Sequence, residues 1–414
     1  MTNAKEKTGC FRQNIITFLI LFLSCSFVVE NDLISSTVTI ALWVITAFLI
    51  ISFNFRIKAS IIFPVVILLM LMWVSVMINE PQRYFKYLCI SFSLLVICLY
   101  VHKYSILEFI ESFCNVVCFL AIVSLVCYVL YSLFPVLKTM FLEYGKSGKQ
   151  FSVLYIYVNK AKSIRNMGMF WEPGAYQTYL NIALLLEVIK EKKKIQRIVI
   201  LALTIATTFS TTGFISMSVI FIYMMFNLKE IKSWQRNIIT ILLLAVVVFF
   251  INADSIIQSS SGYTVFGKLS DLLIVDNDNS NGMITTTSVR YYSIIKPIEV
   301  FLKNPILGVG YDNLNLLLYD YTHGMNTCTF INYFALFGVL YGLICILGYI
   351  KFAQKVGKKI IDRIAIFLII CIVSASENYV LIASLYWFCF YGFDSNLLQM
   401  QQEKIEYEQK NRCY

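Results

Sequence analysis

The stretch Val65–Trp73, VVILLMLMW, decides the fold class. Its polarity does not alternate from one residue to the next, which excludes a strand of a membrane β-barrel. It lies within an apolar run at 60–78 that is long enough to cross a hydrocarbon layer of roughly 30 Å as a helix. Since only a helix satisfies its own backbone hydrogen bonds in lipid, this run predicts a transmembrane helix.

The remainder of the chain has the same character. Of its 414 residues, 59% are hydrophobic and 14% are charged, so most of the length does not suit a water-soluble fold. The apolar runs and the polar breaks between them predict an all-α integral membrane protein with about 12 transmembrane helices. The predicted spans are 14–29, 36–53, 60–78, 87–101, 108–135, 174–189, 197–211, 213–228, 237–252, 327–350, 364–377 and 379–393.

Two large polar loops, in which short helices are expected, divide these helices. N-terminal helices occupy 1–135, the first loop 136–173, central helices 174–252, the second loop 253–326, and C-terminal helices with a tail 327–414. Most Lys and Arg residues lie in short breaks at the other ends of the spans. Both termini are therefore predicted to be cytoplasmic and both loops extracytoplasmic. The net charge of +10 thus reflects topology, and no nucleic acid partner is expected.

The first loop ends in a segment that contains Arg165, Trp171, Glu172, Pro173 and Tyr176. Proline suits the first position of a helix, so Glu172 is expected at the helix cap near the membrane surface. An arginine, a carboxylate and an aromatic ring at a positive helix end favour a site for an anionic headgroup that carries sugar. The alternative is structural, namely an Arg165–Glu172 ion pair and an interfacial belt formed by Trp171 and Tyr176.

The second loop offers a capped amphipathic helix. Ser288 can cap it, Arg290 lies in its first turn, and Asn304-Pro305 ends it. Such a helix would lie at the lipid interface, where its N-terminus favours an anion. His323 follows just before the span at 327–350 and is a candidate general base. A solvated Arg290 and a histidine without catalytic role are the ordinary alternatives.

The junction Ser210-Thr211-Thr212-Gly213 joins two short predicted spans. It could break the helices within the membrane and expose backbone N–H groups to an anion, or it could form a tight turn. The chain has no phosphate-binding glycine loop, so an ATP-driven pump is not predicted.

These segments, in this order, resemble the bacterial O-antigen polymerase and O-antigen ligase superfamily. The resemblance covers about residues 160–340 and consists of Arg165 with Trp171–Tyr176, the junction at 210–213, and Arg290 followed by Asn304-Pro305-Ile-Leu-Gly308-Val-Gly310. It implies a glycosyltransferase that joins undecaprenyl-pyrophosphate-linked repeat units at the outer leaflet of the bacterial inner membrane, with inversion and without a metal or cofactor. The product would be O-antigen or capsular polysaccharide of the cell envelope.

The resemblance also implies residue roles. Arg165 and Arg290 would bind the donor pyrophosphate, and His323 would be the candidate base, with Glu172 as the other. The family's frequent His-Asn pair is Met325-Asn326 in this chain, with the imidazole upstream. Trp171 and Tyr176 are the candidate sugar-binding residues. Expected partners are the lipid-linked oligosaccharide, membrane lipid and, as a further candidate, a chain-length regulator protein.

Two other functions remain open. A ligase would transfer finished glycan to lipid A core with the same donor chemistry. A flippase would move the lipid-linked oligosaccharide without an enzymatic step, but that class carries charged residues inside its spans. Here almost no charge lies in the middle of the predicted spans, which disfavours the flippase.

Overall fold

The computed structural model describes residues 2–31, 33–51, 58–79, 84–134, 136–137, 142–144, 149–152, 154–158, 165–190, 193–226, 286–323 and 326–395. Within these ranges the chain is predominantly helical. The helices are α1 (Thr2–Cys25), α2 (Phe27–Glu30), α3 (Ser36–Ile50), α4 (Ala59–Asn79), α5 (Tyr84–Lys103), α6 (Ile106–Leu133), α7 (Pro173–Ile189), α8 (Ile195–Thr207), α9 (Thr211–Phe226), α10 (Thr286–Lys303), α11 (Tyr311–Thr322), α12 (Thr329–Val356), α13 (Ile360–Ser376) and α14 (Ala383–Phe393).

By length and composition, four of the described helices can cross a membrane, namely α4, α5, α6 and α12. Shorter apolar helices include Cys10–Cys25, α3, α8 and α9. Apolar helices of this length are what a membrane protein requires. The apolar runs predicted from the sequence coincide with helices wherever the structure describes them, while the run at 237–252 lies outside the described residues. The total of about 12 spans stays a prediction.

The described part of the first loop contains strands where short helices are predicted. Strands β1 (Leu142–Tyr144), β2 (Lys149–Phe151) and β3 (Ile156–Val158) form an antiparallel sheet in the order β1-β2-β3. The sequence predicts short helices in both loops, and these residues of the first loop form strands. The amide of Ile156 also donates to the carbonyl of Gly168 at 2.9 Å, which ties the sheet to the segment before α7.

The second loop ends in a helical hairpin whose tip is inserted into a broken helix. Helix α12 is non-helical at Gly338, where φ is +85°. The tip fills this break, because Val309 N donates to Ala335 O at 2.9 Å and Val339 N donates to Pro305 O at 2.8 Å. Backbone groups that leave a helix in a membrane need such partners within the protein.

This insertion explains several predicted features. Helix α10 ends at Lys303, directly before Asn304-Pro305, as predicted, although it begins at Thr286, before Ser288. Gly308 and Gly310 both have positive φ and form the predicted tight backbone turn. The break in α12 lies nine residues after Thr329, so the tip is roughly 13 Å along that helix from its N-terminus. The hairpin α10–α11 therefore enters the helical bundle at its tip, whereas the sequence predicts a helix that lies at the lipid interface.

Helix α7 is the most enclosed element. Almost all of its residues are buried, as expected for a helix that neighbours pack on every side. It contacts α6, α8, α9 and α13. Its N-terminal end is consequently held in a fixed position, and the candidate site lies there.

Candidate functional site

Four charged side chains interact at the N-terminal end of α7. We call Arg165, Glu172, Arg290 and Glu377 the arginine–glutamate cluster. The charge of Arg165 interacts with Glu172, Arg290 and Glu377, and the carboxyl of Glu377 interacts with the other three. The sequence predicts three of these residues, Arg165, Glu172 and Arg290, as a site. The structure brings all four together from three separate segments of the chain.

Arg165 is held by its own side chain and by the residue that follows it. Its Nε donates to the carbonyl oxygen of Thr208 at 3.0 Å, just beyond the end of α8. The next residue, Asn166, has no exposed surface and donates through Nδ2 to Thr207 Oγ1 at 3.0 Å and to Ser124 Oγ at 3.2 Å. A cation near helix carbonyls is favoured by the helix dipole. Arg165 is therefore fixed to the end of α8.

Arg290 approaches the same junction from the opposite side. It lies in the second turn of α10 as the structure bounds that helix, and its Nη1 donates to Thr212 Oγ1 at 3.2 Å. Thr212 is the second residue of α9. The sequence predicts the junction at Ser210–Gly213, and the structure separates the two helices slightly earlier, at Thr208–Ser210, where Phe209 has a φ of +47°. The junction thus holds both guanidinium groups.

Glu172 is the N-cap residue of α7, and Pro173 follows at the first helical position, as predicted. The Glu172 side chain makes no capping hydrogen bond to the helix, so it does not neutralise the positive end of α7 through the usual cap. A helix N-terminus presents backbone N–H groups to an anion. The end of α7 therefore adds to the positive character that the two arginines provide.

Glu377 is the member of the cluster that sequence reasoning missed. It follows α13 directly, and its carboxylate lies over the backbone of Gly174, since a Cβ at Gly174 would come 2.2 Å from Glu377 Oε1 and 3.7 Å from Glu172 Oε1. The two carboxyl groups therefore converge on the same point. The available signal was a lone acidic residue at the very end of the predicted span 364–377.

The turn that carries Glu377 is fixed by hydroxyl groups. Thr329 Oγ1 donates to the carbonyl oxygen of Glu377 at 2.8 Å and accepts from Tyr379 N at 2.9 Å. The hydroxyl of Tyr379 donates to Thr178 Oγ1 on α7 at 2.8 Å. Helices α7 and α12 thereby hold the turn on both sides, and they set the position of the carboxyl relative to Gly174.

Burial and the hydrogen bond to Glu172 raise the pKa of Glu377 well above its usual 4.5, against the opposing effect of the two arginines. Two carboxylates cannot hydrogen-bond unless a proton lies between them, so Glu172 and Glu377 form a pair that holds a proton. Burial also lowers the pKa of Arg165, an effect that the charge of Glu172 opposes. With its pKa raised, the Glu377 carboxyl adds little negative charge beside the two guanidinium groups.

The two predicted sugar-binding rings have different surroundings. Trp171 is partly buried and its ring lies edge-on to Tyr379 at 6.1 Å. Tyr176 has no exposed surface, its hydroxyl is 2.8 Å from Ser124 Oγ, and its ring stacks on Phe170 at 5.0 Å. A sugar cannot reach a ring enclosed in this way, so Tyr176 is corrected from a binding residue to a packing residue.

His323 lies at the end of α11. It adopts a left-handed conformation with φ of +47°, its side chain is exposed, and its ring is 5.9 Å from that of Tyr319. Within the described ranges, His323 contacts Tyr319 of its own helix through its ring and its backbone amide. Its role as a base therefore stays a prediction, while Glu172 and Glu377 occupy the centre of the cluster.

The cluster suits an anion better than a cation. Two guanidinium groups repel a metal ion, whereas their forked N–H groups match the oxygens of a phosphate or pyrophosphate. The carboxyl pair beside them can accept or release a proton. No protein-family model and no curated protein matches this chain, and its function must be inferred from these residues.

Proposed function

We propose that this chain is a polytopic glycosyltransferase of the bacterial inner membrane that joins undecaprenyl-pyrophosphate-linked repeat units into O-antigen or capsular polysaccharide. The observation that carries the proposal is the approach of Arg165 and Arg290 to the same helix junction, beside a carboxyl pair and the positive end of α7. The resemblance of residues 160–340 to the O-antigen polymerase and ligase superfamily supplies the substrate class.

In this proposal the arginines hold the donor pyrophosphate. As the bond between the sugar C1 and the pyrophosphate oxygen breaks, negative charge develops on that oxygen, and guanidinium groups fixed in advance stabilise it without reorganisation. Thr208 and Thr212 fix the two groups. Undecaprenyl pyrophosphate leaves carrying the electron pair of the broken bond.

The carboxyl pair serves the acceptor. A hydroxyl of the second lipid-linked saccharide attacks C1 from the opposite face, and its proton passes to the Glu172–Glu377 pair as the new glycosidic bond forms. The pair holds one proton and can accept a second. Direct displacement inverts the anomeric centre. His323 is the alternative base. Full activity of His323→Ala would favour the carboxyl pair, and loss of activity would favour His323.

The proposed arrangement in the membrane is about 12 spans, with both termini in the cytoplasm and the arginine–glutamate cluster outside. The clustering of Lys and Arg in the breaks at the other ends of the helices supports this orientation. Labelling of single introduced cysteines by a membrane-impermeant thiol reagent tests it, and label reaching position 290 only after cell lysis would contradict it.

Complementation of a polymerase-null strain tests the function. We expect Arg165→Ala and Arg290→Ala to leave envelope glycan capped by a single repeat, while Lys296→Ala, on the same helix as Arg290 and paired with Glu299, gives normal ladders. If long lipid-linked polymer accumulates unattached in the variants, the proposed function changes from polymerase to ligase. If undecaprenyl-linked units accumulate inside the cell, the proposed function changes to that of a flippase. Normal long chains in both arginine variants would remove the cluster from the mechanism.

A further inference from the structure

A cavity opens between the α1–α2 turn, the N-terminal halves of α3 and α5, and the start of α14. Its volume is about 320 Å³, which lies at the lower end of the roughly 300–1,000 Å³ of small-molecule sites. None of the four cluster residues lines it. The cavity is thus a separate compartment of a size that suits one or two sugar rings.

The cavity is lined by hydroxyl groups and an aromatic ring. Hydroxyl groups come from Ser24, Thr39 and Ser93, and the ring of Trp43 forms part of the wall. Thr39, Trp43 and Ser93 are almost fully buried, while Glu30 and Lys86 are exposed and lie at the rim. Hydroxyl groups together with an aromatic face match the alternating polar and C–H surfaces of a sugar ring. Thr39 Oγ1 and Ser93 Oγ donate to backbone carbonyl oxygens of the preceding turn, so each keeps lone pairs that can accept from a sugar hydroxyl, which an acyl chain cannot supply.

One of these hydroxyl groups lacks a partner. Ser24 Oγ is buried and makes no hydrogen bond among the described residues. A buried polar atom without a partner costs free energy, so it marks a place where a ligand or an ordered molecule completes the bonding. Ser24 lines the cavity, and rotation about its Cα–Cβ bond would turn this hydroxyl toward a ligand that carries hydroxyl groups.

The cavity is close to the cluster along the chain. Leu381 and Ala383 form part of its wall, and Leu381 follows Glu377 by four residues, which span at most roughly 14 Å even when fully extended. We propose that this cavity binds a neutral saccharide unit. If the cluster transfers sugars as proposed above, the bound unit belongs to the acceptor, whose growing end would then reach the carboxyl pair. The binding itself does not depend on that function.

Cys89 provides a native reporter, because it lines the cavity and is partly exposed. The purified full-length protein in lipid nanodiscs is treated with a maleimide, and labelling of each cysteine is followed by site-resolved mass spectrometry. The probes are free glucose, galactose, rhamnose and N-acetylglucosamine, with glycerol at equal osmolality as the control. We expect at least one sugar at two to three times its Kd to slow labelling of Cys89 by about threefold, with no change at Cys127 or Cys371, which lie outside the cavity lining.

Variants separate binding from catalysis. Ser24→Leu and Thr39→Leu each fill the cavity and are expected to abolish the protection, whereas Ser132→Leu, at an exposed position on α6, retains it. Arg290→Ala retains protection even though it abolishes transfer under the proposed function, so failure of one proposal does not imply failure of the other. Absence of protection by every sugar, or equal protection by glycerol, would overturn the saccharide site. Protection that survives in both filled variants would overturn it as well.

Discussion

Substituting Gly174 by alanine perturbs the cluster with one methyl group. The new Cβ would lie 2.2 Å from Glu377 Oε1, whereas ordinary van der Waals contact begins at 3.4 Å. The carboxylate oxygen must therefore move by about 1 Å, and a flexible side chain can do so without disturbing the fold. The carboxyl of Glu172, at 3.7 Å from the same point, is not displaced.

Stability and activity should then change in different directions. Alanine is a better helix former than glycine, so the free energy of unfolding should stay unchanged or rise by up to about 1 kcal/mol. A misplacement of about 1 Å in a reacting group can lower the rate about 100-fold. We therefore expect Gly174→Ala to lower the turnover number by about that factor, because Glu377 no longer shares its proton with Glu172 in the original geometry.

The assay follows polymer formation from purified undecaprenyl-pyrophosphate-linked repeat units, with thermal unfolding measured on the same preparation. The double variant Gly174→Ala/Glu377→Asp is the matched control, since the shorter side chain withdraws from the new methyl group and should recover part of the activity. Wild-type turnover in a stably folded Gly174→Ala protein would refute the assignment of a reacting role to the Glu377 carboxyl.

Three further predictions follow from the same contacts. Because the folded protein holds the Glu377 proton that the unfolded chain releases, its stability relative to Glu377→Gln should fall as pH rises above the usual value of 4.5; parallel melting temperatures of the two proteins across that range would contradict this. Gly338→Ala places a Cβ 1.9 Å from Ile306 O at a φ of +85°. Thermal unfolding should therefore show a free energy of unfolding lower by about 3 kcal/mol or more. A wild-type melting temperature would contradict the inserted hairpin tip. Asn166→Ala removes the amide that donates to Thr207 Oγ1 and Ser124 Oγ and accepts from Gly168 N, which should cost about 1–3 kcal/mol and lower the activity through Arg165. Full activity of Asn166→Ala would show that Arg165 is held without it.

The helices could be predicted from the sequence because lipid imposes a simple rule. An apolar run must be helical to satisfy its backbone, and the predicted runs at 60–78 and 174–189 correspond to α4 and α7 within a few residues. The N-cap at Glu172 was predictable for a local reason, since Pro173 favours the first helical position and the cap is the residue before it. Such features depend on neighbouring residues alone.

Features that depend on distant contacts could not be predicted. Nothing in the sequence near Gly338 indicates that Pro305–Gly310 would occupy the break in α12. Glu377 joins the cluster only because Thr329 and Tyr379 hold its turn over α7. Tyr176 lies four residues beyond Glu172, yet it points into the interior, and the orientation of that helix is set by packing against α6 and α8.

The central claim is that Arg165 and Arg290 bind one diphosphate together. The most direct measurement is calorimetric titration of the purified protein with undecaprenyl pyrophosphate, with undecaprenol as the uncharged control. Removing either arginine should weaken binding of the pyrophosphate by at least about tenfold, since a hydrogen bond to a charged group contributes roughly 1.5–3 kcal/mol, and binding of undecaprenol should not change. Equal affinity of the wild-type protein and both arginine variants for undecaprenyl pyrophosphate would contradict the claim.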